Sequence, residues 1–308
     1  MPTQYLTNDG PKNCAIISYM PHNVCNYSCT YCSAWHNDGS NRWNRDYKSP
    51  AKFVNEIRAK NQYVYIEILG GEPTLWPDLQ NFINEISHDN VVIELNTNGS
   101  RTLRYWQDFK KANYIINFTW HSAEVNTAHL YEVVKIMKDK SYPCVTFMMT
   151  PENFNIAKDA ILLFETLDVQ IDVKPTRINI ASSEMYPFTD EQLQYIKSYK
   201  PNWKKINIPP WWNLYPKDII INNTAPERWY TIVIEKKNIY TNWTCTAGIN
   251  RFTIDPNGNI NRCYENIGGS IGNVFTGYML PIDPVICTLR GQCRCKLDAM
   301  VEKWSPND

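Results

Sequence analysis

The chain has 308 residues, with 31 lysines and arginines balanced by 31 aspartates and glutamates, so its formal net charge is zero and no bulk field draws it to nucleic acid or an anionic membrane. No apolar run approaches the roughly 20 residues that span a bilayer, and the start, MPTQYLTNDGPKNC, lacks the basic-then-apolar layout of a signal peptide. These features predict a cytoplasmic protein with neither nucleic acid nor membrane as partner, long enough to bury one large domain plus an appendage.

In chain order, the apolar runs at 14–20, 64–69, 91–95, 114–120, 144–149 and 169–173 read as strands. They are continuous rather than alternating, as expected where both faces are covered. Amphipathic stretches at 49–60, 77–88, 101–112, 127–140 and 156–167 fall between them. This βα repetition predicts parallel strands with crossover helices, an open or closed α/β barrel with six strands. Residues 181–240 break the rhythm with a bridging segment rich in Pro, Asn and aromatics, and 241–308 form a Gly- and Cys-dotted tail. In the tail, RFTID and NINRCY flank Pro256-Asn257-Gly258-Asn259, a hairpin signal.

Ten cysteines in a reducing compartment point to metal rather than disulfides. Cys25, Cys29 and Cys32 form an early cluster, and Cys245, Cys263, Cys287, Cys293 and Cys295 a late one. Cys14 and Cys144 stand alone in apolar runs and read as small core residues, as does the pair Met148-Met149. The early triplet follows the first strand, which sets three thiols near that strand's C-terminal end. Zinc would need a fourth ligand, for which only the flanking His22 and His36 offer themselves.

Cys-x3-Cys-x2-Cys with Tyr31 before the third cysteine resembles the radical S-adenosylmethionine (SAM) superfamily. Gly70-Gly71-Glu72-Pro73 after the second strand is similar to that family's Gly-Gly-Glu-Pro motif, and NTNG at 96–99, which includes Asn98, gives a third match in the same order. The resemblance implies a partial (β/α)6 TIM-like barrel carrying a 4Fe-4S cluster on Cys25, Cys29 and Cys32. In the family the open iron is chelated by SAM, and an electron from the cluster cleaves SAM to a 5′-deoxyadenosyl radical that abstracts a substrate hydrogen. It also implies SAM contacts near Tyr31 and the Gly-Gly-Glu-Pro turn. Glycines there let backbone approach a ligand closely. At the fourth strand's end Thr119, His121 and Ser122 are candidates, with helix capping by Ser122 as the alternative. At the sixth, Lys174 or Arg177 faces SAM or substrate, or is simply solvated.

The tail resembles the twitch/SPASM extensions of radical SAM enzymes, which carry auxiliary iron–sulfur clusters. The chain thus looks like the barrel with a small cysteine-rich β-hairpin/helix extension: 1–180 barrel, 181–240 bridge, 241–308 auxiliary domain. Cys245, Cys263, Cys293 and Cys295 are the ligand candidates, with Cys287 as a replacement, because the ending Cys-x5-Cys-x-Cys departs from the usual Cys-x2-Cys. Structural zinc is the alternative for this site.

The implied function is reductive SAM cleavage and hydrogen abstraction from a peptide or small polar substrate, with an auxiliary cluster assisting oxidation or binding of that substrate. A reductant such as flavodoxin or ferredoxin would supply the electron. Alternatives are an epimerase or isomerase, an aminosugar-like dehydrogenase, and a non-catalytic iron–sulfur or zinc protein. Thirteen residues precede Cys14, too few for the winged helix that precedes many peptide-modifying barrels. Trp211, Trp212, Tyr215, Trp229 and Tyr230 are candidates to wall the substrate cavity, or to pack the appendage.

Overall fold

The computed structural model describes residues 5–8, 13–110, 114–179, 182, 184–199, 219–221 and 227–306. After a short β1 (Tyr5–Asn8), six strands form a parallel set: β2 (Cys14–Tyr19), β3 (Tyr63–Ile68), β4 (Val91–Thr97), β5 (Tyr114–Trp120), β6 (Tyr142–Met149) and β7 (Gln170–Pro175). They lie side by side in sequence order. Following the short α1 (Ala34–Asn37), the helices α2 (Lys48–Lys60), α3 (Leu79–Ile86), α4 (Leu103–Asp108), α5 (Thr127–Met137) and α6 (Phe154–Glu165) connect successive strands. The expected partial (β/α)6 barrel is therefore present. The helix expected over 101–112 is shorter, running from Leu103 to Asp108.

Local chemistry starts several helices. Thr102 accepts from the Tyr105 amide and Asn126 from the His129 amide. Asp46 accepts from the Lys48 and Ser49 amides ahead of α2. These caps satisfy amides that lack an intrahelical partner. Helix α2 then buries Pro50, Ala51, Phe53, Val54 and Ile57, one stripe at helical spacing, toward the sheet.

The strands divide their side chains by parity. Ala15, Ile17, Val64, Ile66, Ile93, Leu95, Ile116, Phe118, Val145, Phe147, Ile171 and Val173 pack against the helices. On the opposite face, the beginnings of the strands supply Cys14, Ile16, Tyr65, Val92, Ile115 and Cys144, which pack with Ile232, Leu297, Ala299 and Met300. The C-terminal segment thereby floors the lumen. Cys14 and Cys144 sit in this floor, as expected of small core thiols.

The later elements are α7 (Asp190–Ser198), β8 (Ile219–Ile221), α8 (Trp229–Ile234), β9 (Thr244–Cys245), β10 (Arg251–Ile254), β11 (Asn259–Asn261), β12 (Ser270–Asn273), β13 (Gly277–Tyr278), β14 (Val285–Ile286), α9 (Lys296–Ala299) and β15 (Lys303–Trp304). The hairpin expected around Pro256–Asn259 is β10–β11. Its strand β10 also pairs in parallel with β2, so β10 to β13 continue the barrel sheet beyond its first strand. A second sheet, in the order β14-β9-β15-β1-β8, ties the first described strand to the last. Among the described residues, no helix is long and apolar enough to cross a membrane.

One buried ion pair locks the extension to the barrel. Arg251 Nε donates to Asp298 at 2.7 Å, with side chains only 0% and 4% exposed, and Asp298 also accepts from the Tyr264 amide. Removing one partner of such a pair strands a buried charge, at a cost of about 3–5 kcal/mol. Asp298→Ala should therefore lower the chemical denaturation midpoint strongly, whereas Asp108→Ala, which breaks the exposed pair to Arg104, should hardly move it. Equal effects in the two variants would contradict this account of the junction.

Candidate functional site

The three early cysteines follow β2 in an irregular loop. Cys29 is 9% exposed, and Cys25 and Cys32 are half-buried. The Cys32 amide donates to the Cys29 carbonyl at 3.0 Å, closing a turn, and the Tyr27 amide donates to Cys25 Sγ at 3.4 Å. Burial, then the neighbouring Cys25 and Cys32, push Cys29 up to about 12. Burial and Cys25 push Cys32 up to about 11. The three sulfurs thus share one electrostatic neighbourhood. Among the described residues no three His, Cys, Asp or Glu side chains group as a single metal ion would need.

Two turns at the strand ends hold this loop. The Gly71 amide donates to the His22 carbonyl at 3.2 Å and the Glu72 amide to the Val24 carbonyl at 2.8 Å. A Cβ on Gly70 would lie 2.4 Å from the His22 oxygen, and one on Gly71 would lie 2.1 Å from the Val24 oxygen. Only glycine permits that approach. Pro73 opens the following 3₁₀ turn, Pro73–Leu75.

Glu72 is 1% exposed and spends its carboxylate inside the protein. It accepts from the Thr74 amide (3.0 Å), the Thr74 hydroxyl (2.6 Å), the Thr97 hydroxyl (2.7 Å) and the Asn98 amide (2.7 Å). Burial raises its pKa, against these hydrogen bonds. Asn98 continues the chain of contacts, donating to Asn26 Oδ1 at 3.1 Å. The NTNG turn, the Gly-Gly-Glu-Pro turn and the cysteine loop therefore form one hydrogen-bonded unit.

The other candidates divide. Tyr31 hydroxyl bonds His121 Nδ1, and the two rings stack with centroids 5.9 Å apart. Thr119 lies on β5, half-buried, in register with Thr146. Ser122 accepts from Asn153 at 2.7 Å; the cap of α5 is Asn126, not Ser122. Lys174 enters the lumen and pairs with Asp172 at 3.2 Å, so it is not a freely solvated charge. Arg177 donates to the Arg294 carbonyl at 3.2 Å, tying β7 to the extension. His36 bonds Ser33 through one ring nitrogen and lies 3.2 Å from the Tyr264 hydroxyl through the other. His22 Nδ1 accepts from the Val24 amide.

Above the lumen floor lies a cavity of about 880 Å³. Trp229 and Tyr230 line it as expected; Trp211, Trp212 and Tyr215 lie outside the described residues. Met149 is core, but Met148 lines the cavity, because the two point to opposite faces of β6. Sequence reasoning passed over Ser18, Glu67, Glu94, Asn96, Asn117 and Asp172, all of which line it. The available signal was an acid inside each of three otherwise apolar strands, VYIEIL, VVIEL and VQIDV.

In the extension, β9 pairs with β14 so that Cys245 faces Val285. Cys287, two residues on, then shares a face with Cys245 as its diagonal neighbour, and Cys245 contributes to raising its pKa after burial does. Cys293 is raised by burial, then Asp298, with Cys295 and Cys263 adding to it. Cys245 also packs in one buried cluster with Cys263, and Cys287 and Cys295 pack against the cluster that holds Cys293. Arg251 donates to Cys295 Sγ at 3.7 Å.

Residues 19–155 match the family model described as the radical SAM superfamily. They form a radical SAM domain. The superfamily implies SAM and a 4Fe-4S cluster as cofactors, and its members are enzymes. The chain resembles the structure of anSMEcpe with bound AdoMet at 15% identity and a TM-score of 0.55, over 86% of this chain and 79% of that one. It resembles Streptococcus suis SuiB bound to precursor peptide SuiA at 14% identity and a TM-score of 0.59, over 86% of this chain and 63% of that one. At these identities the likeness establishes the fold. No curated protein matches the sequence.

Two outcomes follow for this radical SAM unit. Gly71→Ala should force the His22–Val24 segment away, at about 1–3 kcal/mol of overpacking, and lower the iron retained after anaerobic reconstitution. Undiminished iron and stability would contradict the close-approach argument. Burial lowers both His22 and His121 to about 4. An unfolded histidine titrates near 6.5, so between those values the unfolded chain binds more protons. Stability should be full above about pH 6.5 and fall toward pH 4, as urea midpoints at pH 7 and pH 5 would show; equal midpoints would oppose it.

Proposed function

We propose that this chain is a radical SAM enzyme that cleaves SAM reductively and abstracts hydrogen from a peptide or small polar substrate held in the barrel lumen. The observation that carries the reading is the hydrogen-bonded unit of cysteine loop, Gly-Gly-Glu-Pro turn and NTNG turn, whose residues Tyr31 and Asn96, with the adjoining Leu69, line the cavity.

Cys25, Cys29 and Cys32 would hold the 4Fe-4S cluster. The donor set fits: after burial, Cys25 raises both Cys29 and Cys32, and Cys32 raises Cys29, an arrangement that a cationic iron centre relieves. His36 has both ring nitrogens engaged, which argues against its serving as a zinc ligand. When bound, cluster and SAM together supply a radical able to take a hydrogen atom from carbon. The chain's own residues position and enclose. Gly70 and Gly71 let the turn seat against the loop, and Glu72 keeps that turn and Asn98 in place without facing SAM itself. Tyr31, braced by His121, walls the cavity mouth beside the third cysteine. Pro73, Thr119, Ser122 and Lys174 are less direct candidates for SAM; Ser122 and Lys174 already have protein partners.

The late cysteines, in residues 241–308, would hold an auxiliary iron–sulfur cluster. Cys245, Cys263, Cys293 and Cys295 are the proposed ligands, with Cys287 as a replacement; the packing of Cys245 with Cys263 and the influence of Cys295 and Cys263 on Cys293 support this set. Arg251 at Cys295 and Lys303, which lowers the Cys293 pKa, favour negative charge there. An auxiliary cluster so placed, with Cys295 on the cavity wall, suits a net two-electron oxidation in which it takes the second electron. Flavodoxin or ferredoxin would supply the first.

Anaerobic reconstitution should load about eight irons per chain, two 4Fe-4S clusters. The combined Cys25→Ala, Cys29→Ala and Cys32→Ala variant should keep about four and release no 5′-deoxyadenosine from SAM after dithionite reduction. Release by that variant would overturn the proposal; four irons and one zinc in the unmodified chain would remove only the auxiliary cluster.

A further inference from the structure

We propose that the lumen recognises a cationic nitrogen, an ammonium or guanidinium at the end of an aliphatic chain, through Glu67 and Glu94. This rests on the reading of the cavity as the substrate site.

Glu67 and Glu94 are paired in register on adjacent parallel strands, with Ser18 next in the same row. Same-row side chains on one face of neighbouring strands stand about 5 Å apart at Cβ. Both carboxylates line the cavity, and Glu94 is 4% exposed. Their hydrogen bonds come from neutral donors alone. Glu67 accepts from the Ser18 hydroxyl and the Asn96 amide, each at 3.0 Å. Glu94 accepts from the Tyr65 hydroxyl at 2.5 Å and the Asn117 amide at 3.3 Å.

Neither acid is in an ion pair among the described residues, and the cavity-lining cations Lys174, Arg228 and Arg251 have partners of their own. Lys174 and Arg228 both pair with Asp172, and Arg251 with Asp298. Lys296 lines the same cavity and, with Arg251, offsets part of the mutual repulsion of the acids. Two like charges side by side in a partly dry lumen attract a cation or retain a proton, and the amides and hydroxyls around them orient their oxygens without neutralising them.

A second feature points independently to a ligand. Thr176, at the end of β7, is 1% exposed and lines the same cavity, and its hydroxyl has no partner among the described residues. Buried hydroxyls are nearly always bonded, so this one waits on a group that the lumen contents provide.

The next lumen positions outward define what carries the cation. Two residues beyond Ser18 and Glu67 stand Met20 and Leu69, and two beyond Glu94 stands Asn96, all on the cavity wall. The flexible apolar pair Met20 and Leu69 fits an aliphatic stem, and the acids behind it a positive end. This arrangement disfavours an anionic substrate, whose charge would be driven onto two carboxylates.

The test uses the anaerobically reconstituted full chain with SAM bound, and three probes: acetyl-lysine amide, acetyl-arginine amide and the isosteric acetyl-norleucine amide. Isothermal titration or saturation-transfer NMR should give the better cationic probe a roughly 10- to 100-fold advantage over norleucine, the worth of one hydrogen bond to a charged group. Which cation wins separates ammonium from guanidinium. Norleucine binding as well as both would overturn the proposal. The isosteric E67Q/E94Q variant, checked for folding by near-ultraviolet circular dichroism, should lose the advantage; a folded variant that keeps it would also overturn the proposal. Should the double variant not fold, E67Q alone is expected to reduce the advantage, and an unchanged ratio counts against the assignment. The readout is independent of SAM cleavage: a chain that prefers the cationic probe yet releases no 5′-deoxyadenosine retains this inference and loses the radical reading.

Discussion

The backbone of Gly71 lies so close to that of Val24 that a single methyl group would fall 2.1 Å from a carbonyl oxygen. This contact sets where the cysteine loop leaves β2, because the amides of Gly71 and Glu72 pair with the carbonyls of His22 and Val24. Glu72 then carries the constraint sideways to Thr97 and Asn98 at the end of β4. The ends of β3 and β4 are joined through one buried carboxylate whose acceptor positions are filled, and the loop after β2 through the backbone amides beside it. An ionisable group with that many protein partners organises its surroundings rather than doing chemistry, and the loop it supports is left to present its thiols.

A second layer of dependence links the barrel to the extension. β10 extends the barrel sheet in parallel beside β2, so its first residue, Arg251, enters the lumen floor while bonding Asp298 on α9. Across the cavity mouth, His36 stacks on Tyr264, with ring centroids 6.0 Å apart. Tyr264 adjoins Cys263 in sequence, and His36 follows Cys32 by four residues. The two cysteine-bearing regions are therefore held in fixed relation by packed, hydrogen-bonded side chains rather than by a loose linker. That rigidity is what a radical site needs from its surroundings, since reacting groups must be held to within fractions of an ångström.

The six parallel strands were legible because each is a short apolar run between amphipathic stretches, and their observed ends fall within a few residues of the expected ones. The three cysteine, glycine and asparagine motifs were legible for a different reason: their order along the chain matches the order of the strand ends that carry them. What escaped was long-range. The parallel pairing of β10 with β2 joins residues far apart in sequence and leaves no local period. The proximity of Cys287 to Cys245 follows from the β9–β14 register, which no spacing rule contains. The role of Glu72 as a tie between turns depends on partners 25 and 26 residues away. The acidic layer of the lumen was visible as Glu67 and Glu94 within apolar runs, but reading those runs as uniformly buried concealed that one parity of each strand faces a polar cavity. The bridging segment read as irregular, yet it carries α7 and α8.

The central claim is that Cys25, Cys29 and Cys32 hold a cluster with one iron open to SAM. Electron paramagnetic resonance of the dithionite-reduced chain tests it most directly, in a Cys245→Ala, Cys263→Ala, Cys287→Ala, Cys293→Ala and Cys295→Ala background that removes every candidate ligand of the auxiliary site. Adding SAM should shift the g-values of the reduced 4Fe-4S signal, because SAM enters the coordination sphere of the open iron. A reduced cluster signal that SAM leaves unchanged would contradict the claim.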